Sequence, residues 1–381
     1  MPCWGPFPHV ECWLLMTRVL ALVPKPIGVS PGQRFRLEQW APLLAADGIS
    51  VDFSVFESPS LTRVLYEPGN RATKAVYVVR DAIRRRAVLA QVKDYDLIVI
   101  YREASLLGPA IYERWLAHSG KPIVFDFDDA IWVPDAGSVN GWFARLRFPG
   151  KAATICRLAS AVVVSNNYLA DYAKRFNRSV QVVPSTIDLG LFPVQPPLEQ
   201  ENPFRVVWSG SVSTLSHLDT VRAALERFGR KRKTVLRVIC SRPPEFSADG
   251  VAVEFVPWTA EGEAAKLGVS HVGIMPLPDN EFTRGKGGFK ALLYMAVGRP
   301  AVLSPVGVNT EIVEHGRNGM LARTTDEWVA ALDALAESPS MRDRLATAGR
   351  STVAKRFSAQ SGAASFAAVV TSVLSSRAVE L

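Results

Sequence analysis

Cysteine is scarce in this 381-residue chain: Cys3, Cys12, Cys156 and Cys240 stand far apart, and no C-x-x-C pair occurs. That argues against a zinc ribbon, a thioredoxin-like redox site and a disulfide-stapled scaffold, and points to a reducing compartment. Long apolar runs are also missing. None approaches the roughly 18 residues of a membrane-spanning helix. The most apolar N-terminal stretch, Trp13 to Pro24, is broken by Arg18 and has no basic stretch before it, so no signal peptide is expected. A G-x-G-x-x-G fingerprint is absent from both places it would matter. Thr17–Gln33 holds none, and Val206–Leu215 has only Gly210, which argues against a dinucleotide oxidoreductase. The chain carries an excess of positive charge, +8, yet lacks a long basic run, zinc-ligand spacing or an aromatic–basic platform. Nucleic acid is therefore not the expected partner, and the excess favours some other anion.

What is present is alternation. The chain is 48% hydrophobic and 21% charged, and its length suits two domains of ~100–200 residues each. Short apolar runs at Val19–Val23, Val51–Val55, Leu97–Tyr101, Ile123–Phe127, Ala161–Ser165 and Val180–Val183 read as strands covered on both faces. Helical stretches between them (Gln33–Ala46, Ala72–Gln91, Pro109–His118, Ala152–Leu158, Asn167–Arg175) make βαβ units. Leu191–Pro203, with four prolines, reads as a linker. Alternation then restarts through Arg205–Trp208, Val235–Cys240, Ala252–Val256, Val272–Met275, Ala301–Ser304 and Met320–Ala322. The expected fold is α/β, with two Rossmann-like domains facing each other across a cleft at their strands' carboxyl ends. The divisions expected are a domain over 16–190, a linker over 191–203, a second domain over 204–357, and a C-terminal helix over 358–381 packing back toward the first domain. Residues 1–15, with three prolines and two of the cysteines, are expected to be a loose or untranslated extension, with Met16 as the initiator.

The richest chemistry lies on the strand-to-helix turn after Val272–Met275. Gly285, Gly287 and Gly288 leave the backbone open there, and Arg284, Lys286 and Lys290 place three cations within seven residues. Glycine at a helix start with clustered cations is what a diphosphate requires, although a solvated basic turn has the same composition. In the first half, Ser30–Arg36 opens a helix after the first strand. Gly32 allows close approach there, and Arg34 and Arg36 are candidates for phosphate or acceptor charge or for an exposed helix face. Asp126, Asp128 and Asp129 end another strand, and Asp128 is the candidate to orient or deprotonate an acceptor hydroxyl. Tyr101, Arg102 and Glu103 end a third. Ile83–Arg86 and Gly141–Phe148 mix apolar residues with arginine, a composition shared by membrane-surface segments and by solvated helices.

From Met295 to Gly319 the chain reads M-A-x-G-x-P, a strand, G-x-x-x-E-I-V and G-x-N-G, carried by Met295, Gly298, Pro300, Gly307, Glu311, Ile312, Val313, Gly316, Asn318 and Gly319. Together with VVWSGS (206–211), FDFDDAIW (125–132), SNNYL (165–169) and PSTID (184–188), this resembles the GT-B group 1, family-4-like glycosyltransferases over most of residues 17–357. The resemblance implies that the second domain holds a nucleotide-diphosphate sugar and the first an acceptor hydroxyl on a glycan, a lipid-linked carrier or a small molecule. It implies transfer with retention, no metal or other cofactor, and a cytoplasmic setting that leaves contact with the inner face of the membrane open. By position it makes Ser209, Gly210 and Ser211 the loop beside the diphosphate and Arg284, Lys286 and Lys290 its cations. The family's paired glutamates fall on Gly285 and Leu293 here, which leaves Glu281 or Asp279 as substitute ribose acceptors. A catalytically silent relative and a sugar-nucleotide epimerase stay open as alternatives.

Overall fold

The computed structural model describes residues 16–378 apart from 66, 68, 107, 134–147, 149 and 199–201. The expected N-terminal extension and nearly all of Gly141–Phe148 lie outside the described residues.

Two six-stranded parallel sheets carry the molecule. The first comprises β1 (Thr17–Val23), β2 (Ile49–Val55), β3 (Leu97–Tyr101), β4 (Ile123–Phe127), β5 (Ala161–Val164) and β6 (Val180–Val182), in the order β2-β1-β3-β4-β5-β6. The second comprises β7 (Phe204–Ser209), β8 (Thr234–Cys240), β9 (Val251–Pro257), β10 (Val272–Met275), β11 (Ala301–Leu303) and β12 (Met320–Leu321), in the order β12-β11-β10-β7-β8-β9. β3, β4, β5, β10 and β11 are buried at every residue, which explains why they are almost continuously apolar, with Asp126 of β4 the charged exception. Each sheet reverses its winding once, between β1 and β3 in the first domain and between β7 and β10 in the second. Crevices at such points are where open α/β sheets take ligands.

The helix expected over Gln33–Ala46 is not uniform. Arg34–Glu38 forms a π turn, followed by α1 (Gln39–Ala46) with Pro42 inside it. Pro42 has no N–H and crowds the carbonyl one turn back, so the register widens just before it. That widening sends neighbouring side chains to different places. Phe35 packs at a tilt against Phe289 of the second domain with centroids 4.0 Å apart, whereas Arg36 turns into the first domain's interior. A seven-residue helix, α2 (Pro59–Leu65), precedes α3 (Arg71–Val88) and was not expected from the sequence. α4 (Ile111–His118) and α5 (Asn167–Ala173) also belong to the first domain. In the second domain α6 (Glu281–Arg284) and α7 (Phe289–Ala296) follow β10. The last helix, α8 (Ala359–Ala378), packs on α1, where Phe366 meets Trp40 with ring centroids 5.6 Å apart. The domains also share apolar core: Phe35, Ile187 and Phe192 pack in one cluster with Leu292, Met295 and Val306.

Candidate active site

The cation turn is built by a capping box. Asn280 Oδ1 accepts from the Thr283 N–H at 3.0 Å, and Thr283 Oγ1 accepts from the Asn280 N–H at 3.1 Å, which starts α6 sharply after the Pro276–Pro278 stretch. One turn of α6 then delivers Gly285–Gly288 to the cleft, where α7 begins. Lys290, in the first turn of α7, reaches back under the loop after β7. Its Nζ lies 5.2 Å from the centre of the Trp208 ring, and a Cβ on Gly210 would come within 2.7 Å of its Cε. Gly210 is therefore the residue that lets this lysine in. Burial, and secondarily the like charge of Lys286, pulls the Lys290 ammonium down to about 8. Lys290 makes no ion pair among the described residues.

Lys286 behaves differently. Its Nζ lies 3.0 Å from Asp129 Oδ1 of the first domain and sits over the Phe282 ring at 3.9 Å. Burial works against the charge on Asp129, but Lys286 and then Arg102 outweigh it and hold that carboxyl below its ordinary value. Arg102, a non-glycine residue at φ 60°, bridges both acids, with Nε 2.7 Å from Asp128 Oδ1 and Nη2 2.7 Å from Asp129 Oδ2. The Tyr101 hydroxyl donates to Asp128 Oδ1 at 2.7 Å. Gly32 seals this knot, because a Cβ there would meet Asp128 Oδ2 at 2.1 Å. The loops after β1, β3 and β4 thus converge on Asp128 at the first sheet's winding reversal. The loops after β7 and β10 converge on Lys290 at the second.

Asn166 stitches the two sides together. Its Oδ1 caps α5 by accepting from the Leu169 N–H, while its Nδ2 donates to the carbonyls of Gly285 (3.1 Å) and Lys286 (3.2 Å). Sequence reading placed SNNYL in a family pattern but gave Asn166 no role; its helix-cap position was the available signal. Gly285 itself packs on the first domain, where a Cβ would fall 2.7 Å from Ala130 Cβ and 2.8 Å from Ala130 N. A glutamate does not fit there with the domains in this arrangement. Leu293, at the other glutamate position, lies in the apolar core.

Other candidates stand elsewhere. Arg36 is not at the cleft at all. It is fully buried, forks onto Asp126 (Nη2 to Oδ1, 2.7 Å) and donates to the Val183 carbonyl at 2.6 Å, so the reading of it as a phosphate or acceptor contact is corrected to an internal counter-ion. Arg34 crosses the cleft to Glu263 (2.8 Å) and stacks over Phe35 and Trp258, which leaves its charge already matched. Arg284 turns to Asp279 (2.7 Å), and both are about half exposed on the outer rim. Glu281 stands exposed in the first turn of α6. Ser209 is buried, its N–H donating to the Tyr294 hydroxyl at 3.0 Å. Ser211 is exposed and starts the 3₁₀ turn Val212–Val221. Gly287 faces Ser185 and Ser165.

Residues 203–338 match the model of the family described as glycosyl transferases group 1. Over those residues the second domain is similar to the group 1 glycosyltransferases. Over 112 residues the chain is 35% identical to a D-inositol 3-phosphate glycosyltransferase of a Nocardioides species; the match covers 29% of this chain and 23% of that protein's length. Solved structures agree on the fold over nearly the whole chain. A sucrose-phosphate synthase from Thermosynechococcus elongatus superposes with a TM-score of 0.68 at 16% identity, covering 94% of this chain and 100% of that one. Anabaena HepE, solved in complex with UDP-glucose, gives 0.65 at 15%, covering 93% and 99%. The fold of two facing Rossmann-like domains is thus GT-B.

Proposed function

We propose that the protein transfers a sugar from a nucleoside-diphosphate sugar to an acceptor hydroxyl, with retention at the anomeric carbon. The observation that carries this reading is the pair Lys286 and Lys290 at the winding reversal of the second sheet, on the turn where glycines expose the backbone. Departure of the sugar builds negative charge on the diphosphate, and two cations fixed by packing stabilise that charge more in the transition state than in the substrate. Asp129 then plays the part of a stand-in anion, occupying Lys286 while the site is empty. Donor binding exchanges that carboxylate for a phosphate oxygen and frees Asp129 and Arg102 on the acceptor side.

The acceptor side suits a neutral polyol. The depression beside Arg102 is lined by Glu103, Lys151 and Ile131, so charges of both signs are present there. Asp128, held between Tyr101 and Arg102, is placed to orient a hydroxyl. Solved relatives bound to UDP and UDP-glucose make uridine nucleotides the first donors to test.

Thermal-shift screening of UDP-, GDP-, ADP- and dTDP-sugars tests the reading. Ligand at ~100 times its Kd adds about 2.7 kcal/mol of stability. One nucleotide series is expected to raise Tm and to release free nucleoside diphosphate when an acceptor is supplied. No shift with any of the four would overturn it.

A further inference from the structure

The order β10-β7-β8-β9 puts the end of β9 two strand spacings, about 10 Å, from that of β7, roughly the length of one nucleoside. Trp258 and Glu263 stand there. Trp258 follows β9 directly, and its N–H donates to the carbonyl of Cys240 at the end of β8 at 2.9 Å, so the loop leans back toward the cation corner. Glu263 opens the short helix Glu263–Gly268. Aromatic contacts join this place to Lys290 across the cleft. Phe289, the residue before Lys290, meets Phe35 of the first domain at 4.0 Å, and the Arg34 guanidinium lies 4.2 Å from the Phe35 ring centre and 5.5 Å from that of Trp258.

Glu263 is only 4% exposed, and among the described residues its own domain supplies no cation to pair with it. Its Oε1 accepts from the Trp258 indole N–H at 2.9 Å and its Oε2 from Arg34 Nη2 at 2.8 Å. Holding an indole N–H needs only a neutral oxygen, which a glutamine would supply without the cost of burying a charge. A carboxylate offers about four acceptor positions, and these two donors fill one on each oxygen. The remaining position on each oxygen matches two neighbouring hydroxyls such as those of a ribose. Acids near strand ends of doubly wound sheets take the ribose 2′-hydroxyl of bound dinucleotides in the same manner. Asp279 and Glu281 lie nearer the lysines in sequence but stand exposed, the first paired with Arg284 on the outer rim.

Resting on the donor reading above, we infer that Glu263 binds the ribose hydroxyls of the donor and restricts it to ribonucleoside diphosphate sugars. Arg34 of the first domain holds the carboxylate in place. A 2′-deoxyribose fits the same space but brings no donor, while the nucleotide still keeps water from the charged oxygen. Such analogues are penalised through the missing hydrogen bond, without any clash. UDP-, GDP- and ADP-sugars are admitted on this ground, and dTDP-sugars are excluded.

Calorimetric titration of the full chain with UDP, GDP and ADP, each against its 2′-deoxy form, and with inorganic pyrophosphate tests this. For the nucleotide that binds, the wild type is expected to prefer the ribo form by about 10- to 100-fold, the worth of one hydrogen bond to a charged group. Glu263→Gln keeps the size of the side chain and an oxygen for Trp258. It should erase that preference by weakening the ribo form, with pyrophosphate affinity unchanged. Arg34→Met separates a ribose contact from a strut between domains, because the preference should persist in it at a lower overall affinity. Equal binding of ribo and deoxy forms by the wild type would overturn the proposal without recourse to any variant. So would a Glu263→Gln protein that weakens both forms alike, as Arg34→Met does, since Glu263 would then be a strut only. A rise in Tm with dTDP-sugars alone would overturn it and leave the donor reading standing, whereas no binding of any nucleotide would overturn both.

Discussion

The two sheet ends that face each other across the cleft handle charge in opposite ways. In the first domain most cations near the strand ends have an acid of the same domain: Arg36 has Asp126, Arg102 has Asp128 and Asp129, Lys25 has Glu57, and Lys151 has Glu103 and Glu113, while Arg34 takes Glu263 from the opposite side. In the second domain Lys290 has none among the described residues, and Lys286 borrows Asp129 from the opposite side. A self-neutralised surface binds neutral, hydroxylated molecules without a penalty for stranding charge. An unbalanced one lacks an anion, and the diphosphate of an activated sugar is of the right size and sign. The comparison teaches that the overall +8 of the chain is less informative than which cations are left over once the internal pairs are removed.

The most disruptive way to break the comparison is to unbalance the first domain. Arg36→Leu leaves Asp126 buried without its counter-ion and is expected to cost about 3–5 kcal/mol of stability, measured by urea unfolding. Adding Asp126→Leu should recover most of that loss, and nucleotide affinity should not change in the double variant, because the pair does not face the cleft. A first-domain arginine acting on phosphate would instead show lost affinity that the second substitution cannot restore.

Gly285→Glu comes next. It reinstates the carboxylate that the wider family carries, but here a side chain meets Ala130 at once. The domains must part to admit it, so the radius of gyration from small-angle scattering should rise and the Asn166 contacts should break. An unchanged radius with tighter nucleotide binding would mean that this closed arrangement is not the resting one.

Lys290 gives a smaller, pH-dependent effect. Its charged form is disfavoured in the folded protein, with a pKa of about 8 against 10.5 ordinarily. The penalty is complete below pH 8 and fades as pH rises toward the unfolded value, so Lys290→Met should stabilise the protein at pH 7 by roughly 1–3 kcal/mol, after discounting for its partial exposure, with the gain shrinking in alkali. The same variant should bind nucleotide more weakly. It should also abolish the loss of affinity, up to about tenfold per pH unit, expected of the wild type above pH 8. A variant that binds normally and shows the wild-type pH profile would take Lys290 out of the site.

Much of the architecture was legible. Both sheets follow from runs such as Leu97–Tyr101, apolar throughout because both faces are covered. The cationic turn was legible as well, since glycine and lysine after a buried strand leave few alternatives. The partners of the charges were not. Whether Arg36 faces the cleft or the core depends on a π turn set by a proline several residues on. Whether Arg284 or Lys290 points inward depends on Asp279 and Gly210, one five residues away in sequence and the other eighty. Asp129 was visible only as one of three acids, because its lysine lies in the other domain. The outward facing of Val76, Val79 and Ile83 on α3 was hidden too, since periodicity shows that a helix has an apolar face but not which way that face turns.

Calorimetric titration of the tightest-binding nucleoside diphosphate into wild type, Lys286→Ala and Asp129→Asn compares the two sides in one measurement. If Lys286 holds the diphosphate and Asp129 merely occupies it beforehand, Lys286→Ala weakens binding by about 10- to 100-fold and Asp129→Asn tightens it. Unchanged affinity in Lys286→Ala, or weakened affinity in Asp129→Asn, would contradict the assignment of this corner as the anion site.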